Sequence, residues 1–506
     1  MPARPGTFDL LVVGGGINGA GIARDAAGRG LSALLVEKDD LASATSSWST
    51  KLIHGGLRYL EHYEFRLVGE SLAEREVVLR LAPHLVEPLS FVLPHEPHLR
   101  PAWMIRAGLF LYDRLGGRMT LPRSYGVSLE GTRWGAGLQH RFRKGFVYAD
   151  ARVDDARLVL VNAMSARDHG ADVRTRTRFV SARREGGLWR ASIAGPGGRE
   201  TVTARAIVNA AGPWVADTLA ATDAKPTNAR VRHVKGSHIV VPRVHAEEHA
   251  YILQNSDKRI VFVIPYQDRY SLIGTTDVPV DDYEQPRISD EETGYLIALA
   301  NAYLEKPISR ADVVWSYSGV RPLYDDGTSD PSAITRDYVL KVDALDEAVD
   351  GGRAPVLSLY GGKITTYRKL AEAALAELAP FFPGMKPAWT ATEVLPGGGL
   401  PGGDRAAFLA GLVARHPGIG ADTLRGIARR HGTLAAQVLG DARSTADLGE
   451  DFGAGLTARE VDWMFEHEWA RTPDDVLWRR SKCGLPMTPA QRERVAAYVS
   501  SRADRA

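Results

Sequence analysis

The chain's 506 residues are 44% hydrophobic and 25% charged with a formal net charge of +2, ordinary for a soluble globular protein of two or three domains; this excludes a global pull toward nucleic acid, so any anion site must be local. The one cysteine, Cys483, excludes an internal disulfide and a cysteine metal cluster and suits a reducing cytoplasm. No run of about 18 or more apolar residues exists to span a bilayer, and the run Leu10–Val13 is too short for a signal-peptide core.

Leu10-Leu-Val-Val13 has the length of a buried parallel strand. It stops at Gly14-x-Gly16-x-x-Gly19, and a helical pattern follows through Ile22, Ala23, Ala26 and Ala27. Strand, glycine turn and helix start together predict a phosphate site. Gly14 allows the tight turn, Gly16 lets a pyrophosphate approach, and Gly19 lets the helix pack against the strand. The helix's free amides, from Ile17 and Asn18 onward, then face the anion. The next strand, Ala33–Val36, ends in Glu37 and Lys38. Glu37 stands about 20 residues past the turn, where an acid bonds ribose hydroxyls. This predicts dinucleotide binding; the bland alternative is a tight turn holding nothing.

Residues 44–60 are dense in hydroxyls and then read His54-Gly-Gly-Leu-Arg-Tyr59. Ser46, Ser47, Lys51, His54, Gly55, Gly56 and Leu57 are candidate cofactor contacts there, against the alternative of a serine-rich surface loop. Residues 66–81 read as a helix with Val68, Leu72 and Leu79 on one face. Residues 98–118 set Trp103, Met104, Ile105, Leu109, Phe110 and Leu111 among Arg100, Arg106, Arg114 and Arg118. That stretch is either flat in a membrane interface or a core helix with a solvated basic rim.

Residues 153–166 read as a helix, and 172–182 and 188–194 as strands joined at Gly186-Gly187. A second strand then meets a small-residue turn at Ala210-Ala211-Gly212, where Ala211 and Gly212 could lie against a flat cofactor. Two such turns suggest one nucleotide fold interrupted by insertions. Residues 231–345 are strand-rich, with 237–241, 259–264 and 270–274 as neighbours in an antiparallel sheet over the cofactor's reactive end. The nucleotide fold resumes at 356–368. There a strand meets Gly361-Gly362, and a helix follows with Lys363, Thr365 and Thr366 in its first turn. A helix start carrying a lysine suits a reduced, negatively charged ring. Residues 395–403 are a Pro/Gly linker, and 404–506 read as short helices with starts at Thr457 and Thr472.

These strings resemble the FAD-dependent, quinone-linked glycerol-3-phosphate dehydrogenases of bacteria, the aerobic type, over almost the whole chain. The likeness rests on Gly14–Gly21, Ser49–Arg66, Lys235–Val241, Ile273–Asp277, Ser318–Pro322, Ile334–Asp337, Gly361–Arg368, Glu466–Trp469 and Asp475–Lys482. One departure is Trp48, where the family usually has a small residue. The resemblance implies FAD rather than NAD. Together with the residues it gives an α/β fold: a discontinuous Rossmann-like FAD-binding domain of the glucose/amino-acid oxidase kind (1–84, 150–230, 351–388), a mainly antiparallel β substrate domain (85–149, 231–350) and an all-α C-terminal domain (404–506). It further implies peripheral attachment to the inner face of the cytoplasmic membrane, and homodimers.

The implied reaction oxidises sn-glycerol 3-phosphate to dihydroxyacetone phosphate, moving a hydride from C2 to FAD and the electrons on to a membrane quinone. The phosphate must be held without a metal; Arg321, Arg336 and Lys363 are the candidates. His238 is the candidate base, and Arg58 and Tyr59 the candidates to hold the C2 oxygen. Bland alternatives stay open. His238 could be a hydrogen-bonded sheet histidine, Arg321 a loop cap, and Arg336 half of a surface ion pair with Asp337. The competing functions are a glycerol-3-phosphate oxidase that releases peroxide, an amine or amino-acid oxidase, and a non-catalytic flavin-binding sensor.

Overall fold

The computed structural model describes residues 6–96, 100–225, 230–255, 259–325 and 337–503. Its first sheet grows from the apolar run at the start of the chain. Strand Thr7–Val13 pairs in parallel with Ala33–Val36 on one side and Gly198–Asn209 on the other. Asp172–Arg174 extends one side; Val356–Tyr360 and then the antiparallel edge Val339–Asp343 extend the other. Side chains alternate between two buried faces, which is why the strand reads as unbroken hydrophobicity. Leu10, Val12 and Leu35 pack with helices Ile17–Gly28, Asp155–Asp168 and Tyr367–Leu378. Leu11, Val13, Leu34 and Val36 pack under the hairpin Arg178–Glu185/Leu188–Gly195 through Trp189, Ala191 and Ile193. The chain leaves the ends of Thr7–Val13 and its neighbour Gly198–Asn209 toward opposite faces, so a crevice opens beyond the strand ends, the usual ligand position in such a sheet.

Among the described residues the second sheet is ten-stranded and antiparallel apart from the pairing of Ala250–Gln254 with Val86–Pro94. Its long strand Arg230–Pro242 lies between Trp315–Asp325 and Tyr270–Gly274, and Ile260–Tyr266 follows. The three predicted strands are therefore neighbours in an antiparallel sheet. Three pieces cross the expected domain limits: Leu52–Ile53 and the end of Lys144–Val153 lie in this second sheet, and Val339–Asp343 joins the first.

Three local expectations need correction. Residues 172–182 form two strands rather than one, because Arg176 takes a left-handed φ of 52°. The corner is fixed by the Arg176 amide donating to Asp39 O at 2.7 Å and the Thr177 amide to Glu37 O at 2.7 Å. Inside the strand-rich stretch stands a helix, Asp290–Asn301, begun by a full capping box between Ser289 and Glu292. The Ser-x-x-Glu signature was in the sequence; Leu296, Leu299 and Ala300 bury against Ile239, Val241 and Ile273. The tail is mainly helical, with helices such as Arg405–Arg415, Ala421–His431, Ala458–His467 and Pro489–Ala503, but it also holds a small strand pair, Asp451–Gly453 with Leu456–Thr457. Among the described residues no helix is long and apolar enough to cross a membrane.

Candidate cofactor and substrate site

The glycine turn is held by contacts that leave no room for side chains. Gly14 has φ +110° and sits so close to the end of Gly198–Asn209 that a Cβ would lie 2.6 Å from Ala210 O. A Cβ on Gly19 would lie 1.9 Å from Gly14 O, so the helix rests directly on the turn. Helix Ile17–Gly28 has no acidic residue in its first turn, and its N-cap, Gly16, brings no side chain. Its positive end is thereby kept for an outside anion. Ser46 Oγ accepts the Ile17 amide at 3.0 Å, tying the hydroxyl-rich loop to the helix start. Glu37 accepts the Gly15 amide at 2.7 Å and the Asp39 amide at 2.8 Å. Burial raises its pKa and these two amides oppose the rise. The acid is thus fixed in place beside the turn.

A cavity of about 550 Å³ runs from this turn to the second sheet. Gly14, Gly16, Ile17, Asn18, Glu37 and Lys38 line it from the opening unit, and Ser46, His54 and Tyr59 from the hydroxyl-rich segment. Ala211 and Gly212 line it from the second turn, Gly362, Lys363 and Thr365 from the third, and His238 and Arg321 from the large sheet. Trp48, Thr50, Phe262 and Thr275 also face it and were not among the candidates. Thr50 lay in plain view in the hydroxyl-rich stretch, and Thr275 in the string Ile273–Asp277.

Other candidates do not line the cavity. Lys51 lies behind the wall. Its ammonium is buried, donating to Ser47 O at 2.8 Å and to Asp155 at 2.9 and 3.0 Å, so it braces the loop from behind. Burial lowers its pKa and Asp155 opposes this. Ser47 supplies that carbonyl. The Gly55 amide donates to Tyr112 Oη at 2.9 Å, and Gly56, at φ +77°, starts the 3₁₀ turn Leu57–His62 that carries Leu57, Arg58 and Tyr59. Tyr59 faces the cavity; Leu57 and Arg58 are half-buried in the same turn. Gly19 acts through packing. Arg336 lies outside the described residues.

His238 sits opposite Gly274, whose missing Cβ makes room: a methyl there would lie 2.1 Å from the imidazole. The ring stacks on Tyr317 with centroids 4.8 Å apart, and Nε2 is 3.0 Å from Thr50 Oγ1. Nδ1 meets no hydrogen-bond partner among the described residues. Burial, then Arg321 and Lys51, hold the pKa well below the usual histidine value, so the ring is neutral. Gly236 gives Arg321 its space, since a Cβ would lie 2.5 Å from the guanidinium. Arg321 pairs with Asp277 and lies 3.3 Å from Thr275 Oγ1. Lys363 does not sit in the first turn of the helix. It precedes the 3₁₀ turn Ile364–Thr366, and Tyr367–Leu378 begins after that. Its ammonium lies 3.7 Å from the Tyr59 ring centroid.

Over residues 9–368 the chain matches the family described as FAD dependent oxidoreductase, and over 390–502 the one described as the C-terminal domain of alpha-glycerophosphate oxidase. The chain belongs to the FAD-dependent oxidoreductases. It is 53% identical over 498 residues to the aerobic glycerol-3-phosphate dehydrogenase of Escherichia coli K12, covering 97% of each chain. It is 48% identical over 500 residues to the D-erythritol 1-phosphate dehydrogenase of Brucella abortus, covering 98% of each. Among solved structures, glycerol-3-phosphate dehydrogenase from Bacillus halodurans complexed with FAD superposes with a TM-score of 0.75 at 27% identity, covering 99% of this chain and 95% of that one. FAD is the cofactor of this oxidoreductase, and the residues present fit it. The cavity joins an anion-ready helix start to a ribose-type acid. The Gly212 backbone has nothing within 4 Å of its absent Cβ, and buried Asn18 Oδ1 accepts no bond from the described residues. Among those residues no group of three or more His, Cys, Asp or Glu side chains could hold a metal ion.

Proposed function

We propose that this oxidoreductase converts sn-glycerol 3-phosphate to dihydroxyacetone phosphate and passes the electrons to a quinone at the inner face of the cytoplasmic membrane, as a homodimer of the kind the family resemblance implies. The observation that carries the reading is that Arg321, Lys363 and His238, drawn from separate segments, all line one cavity. Bound FAD supplies the two-electron acceptor. The chain supplies the rest. Arg321 and Lys363 take the phosphate dianion by charge-assisted bonds, with Asp277 setting the pose of the guanidinium. His238, with Thr50 beside its Nε2, takes the hydroxyl proton. Tyr59, on the cavity wall beside Lys363, answers charge on the C2 oxygen, and Arg58 acts only through the turn that carries Tyr59.

The likeness to the Brucella enzyme favours one second reading, a longer polyol phosphate as substrate. That substrate carries the same phosphate monoester, so the same clamp would serve. An anaerobic titration decides. Glycerol 3-phosphate should bleach the flavin absorbance at lower concentration than D-erythritol 1-phosphate, and a quinone analogue should restore the colour. No bleaching at saturating substrate would defeat the proposal, and stoichiometric peroxide in air without quinone would make the protein an oxidase.

The membrane part of the proposal rests on helix Ala102–Leu115. It buries only Leu109 and Tyr112 and exposes Trp103 (70%), Phe110 (53%), Met104 and Leu111, with Arg106 and Arg114 among them. An exposed apolar stripe set among arginines suits an anionic bilayer surface. At roughly 1.5–3 kcal/mol per buried large side chain, Trp103→Ser with Phe110→Ser should weaken co-sedimentation with anionic vesicles at least tenfold while turnover with a soluble acceptor holds. Equal sedimentation of variant and parent would remove this helix from the membrane contact.

A further inference from the structure

A heavily charged buried cluster lies where the tail meets the nucleotide fold. Asp40 is 2% exposed. It belongs to the loop after Ala33–Val36 that supplies Glu37, Lys38, Ala42 and Ser43 to the cavity wall, and that loop is laid on the glycine turn by the Ala42 amide, which donates to Gly15 O at 3.0 Å. Asp40 is held from the tail. Arg480 grips it in a two-point fork, Nη1 to Oδ2 at 2.5 Å and Nη2 to Oδ1 at 2.8 Å, and Arg479 adds Nε to Oδ2 at 2.6 Å.

Two consecutive arginines reach one carboxylate because Asp475–Arg480 is wound as a π-helix, the Ser481 amide donating five residues back to Val476 O at 3.1 Å. The base of this turn is pinned as well: Asp475 accepts the Arg471 and Thr472 amides at 2.7 and 2.8 Å and pairs with Arg176 and Arg479. Two residues past the turn, Lys482 donates to Asp154 at 2.9 Å. Asp154 caps helix Asp155–Asp168 through the Arg157 amide, and its neighbour Asp155 accepts from Ser49 Oγ at 2.7 Å and pairs with Lys51. Ser49 is on the cavity wall. The tail thus bears on two of the loops that line the cavity, one directly through Asp40 and the other through Asp154, whose neighbour Asp155 holds Ser49 and Lys51.

We propose that the C-terminal domain is a positioning clamp for the cofactor: Arg479 and Arg480 hold the Glu37–Ser43 loop in its FAD-binding shape through Asp40. The physical reason is that Asp40 can stay buried only while those guanidinium groups face it; an unpaired buried carboxylate would drive the loop open. Docking of the tail and closure of the loop are therefore one equilibrium, and FAD meets a loop whose ordering cost has already been met.

The test uses full-length apoprotein titrated with FAD, with thermal melting run alongside. Arg480→Gln, Arg479→Gln and Asp40→Asn should each raise the FAD dissociation constant at least tenfold. The Arg480→Gln/Asp40→Asn double variant should be no weaker than the worse single. Arg430→Gln breaks a comparable buried pair, with Glu460, inside the tail, and should lower the melting temperature with FAD affinity unchanged. The proposal falls if Arg480→Gln binds FAD like the parent, if the two substitutions add independently, or if Arg430→Gln weakens FAD as much as Arg480→Gln. Should Arg480→Gln not fold, Arg479→Gln and Asp40→Asn carry the same test, and parental affinity in both would overturn it.

Discussion

Gly19→Ala is expected to yield protein without flavin colour, with affinity for added FAD reduced more than 100-fold. The added methyl would lie 1.9 Å from Gly14 O, a backbone atom of the turn itself. A side chain in that position could swing away, but a carbonyl oxygen inside a glycine turn cannot. The helix Ile17–Gly28 must instead retreat from the end of Thr7–Val13, carrying its first-turn amides off the pyrophosphate position. Those amides and the helix dipole are the sequence-encoded anion site, so the loss falls on cofactor binding before stability; overpacking of this kind typically costs about 1–3 kcal/mol of folding free energy. Gly108→Ala is the matched control. It lies inside helix Ala102–Leu115 with nothing within 4 Å of its absent Cβ, and should keep full flavin while gaining roughly 0.5–1 kcal/mol of helix stability. The comparison needs only the ratio of flavin to protein absorbance after purification. A fully yellow Gly19→Ala protein would show that the helix start does not hold the cofactor.

What could be read from the chain follows from how local each determinant is. The turn at Gly14–Gly19 and the acid Glu37 are set within a few dozen residues of each other, and the amide of Gly15 closes directly on Glu37. Lys51 looked equally suited to a cofactor. Its role is decided by Asp155, 104 residues away in sequence, and no periodicity or composition signals that pairing. The same holds for Arg479 and Arg480, whose partner Asp40 lies at the other end of the chain. The kink at Arg176 escaped because its φ of 52° goes with bonds to Asp39 and Glu37 in the loop after Ala33–Val36, far away in sequence. Helix Asp290–Asn301 is a different case: the capping signal at Ser289 was local and present, and surrounding β-rich sequence masked it. Gly236 and Gly274 show the limit most plainly. Each leaves room for a bulky side chain, Arg321 or His238, on a neighbouring strand, a fact that only the strand register reveals.

Replacement of either clamp cation should cost substrate affinity rather than flavin, and the two should differ in a diagnostic way. A charge-assisted hydrogen bond is worth about 1.5–3 kcal/mol, or roughly 10- to 150-fold in kcat/KM. Lys363→Ala should fall in that range, chiefly through KM, with activity expressed per bound flavin because Gly362 and Lys363 also line the cofactor cavity. Arg321→Ala should be worse. It leaves the Asp277 carboxylate, now without the guanidinium that faces it, beside the incoming dianion, so a repulsion adds to the lost attraction. Arg321→Lys should recover little, since a point charge replaces a planar fork. Asp277→Asn placed on top of Arg321→Ala removes the repulsion and should regain several-fold in kcat/KM, whereas Asp277→Asn alone should weaken the parent by loosening the pose of Arg321. This reversal of sign between backgrounds separates a phosphate clamp from a merely structural ion pair. If Arg321→Ala and Lys363→Ala both kept parental kcat/KM, the dianion would have to be held elsewhere, and the two cations would be no more than braces of the cavity wall.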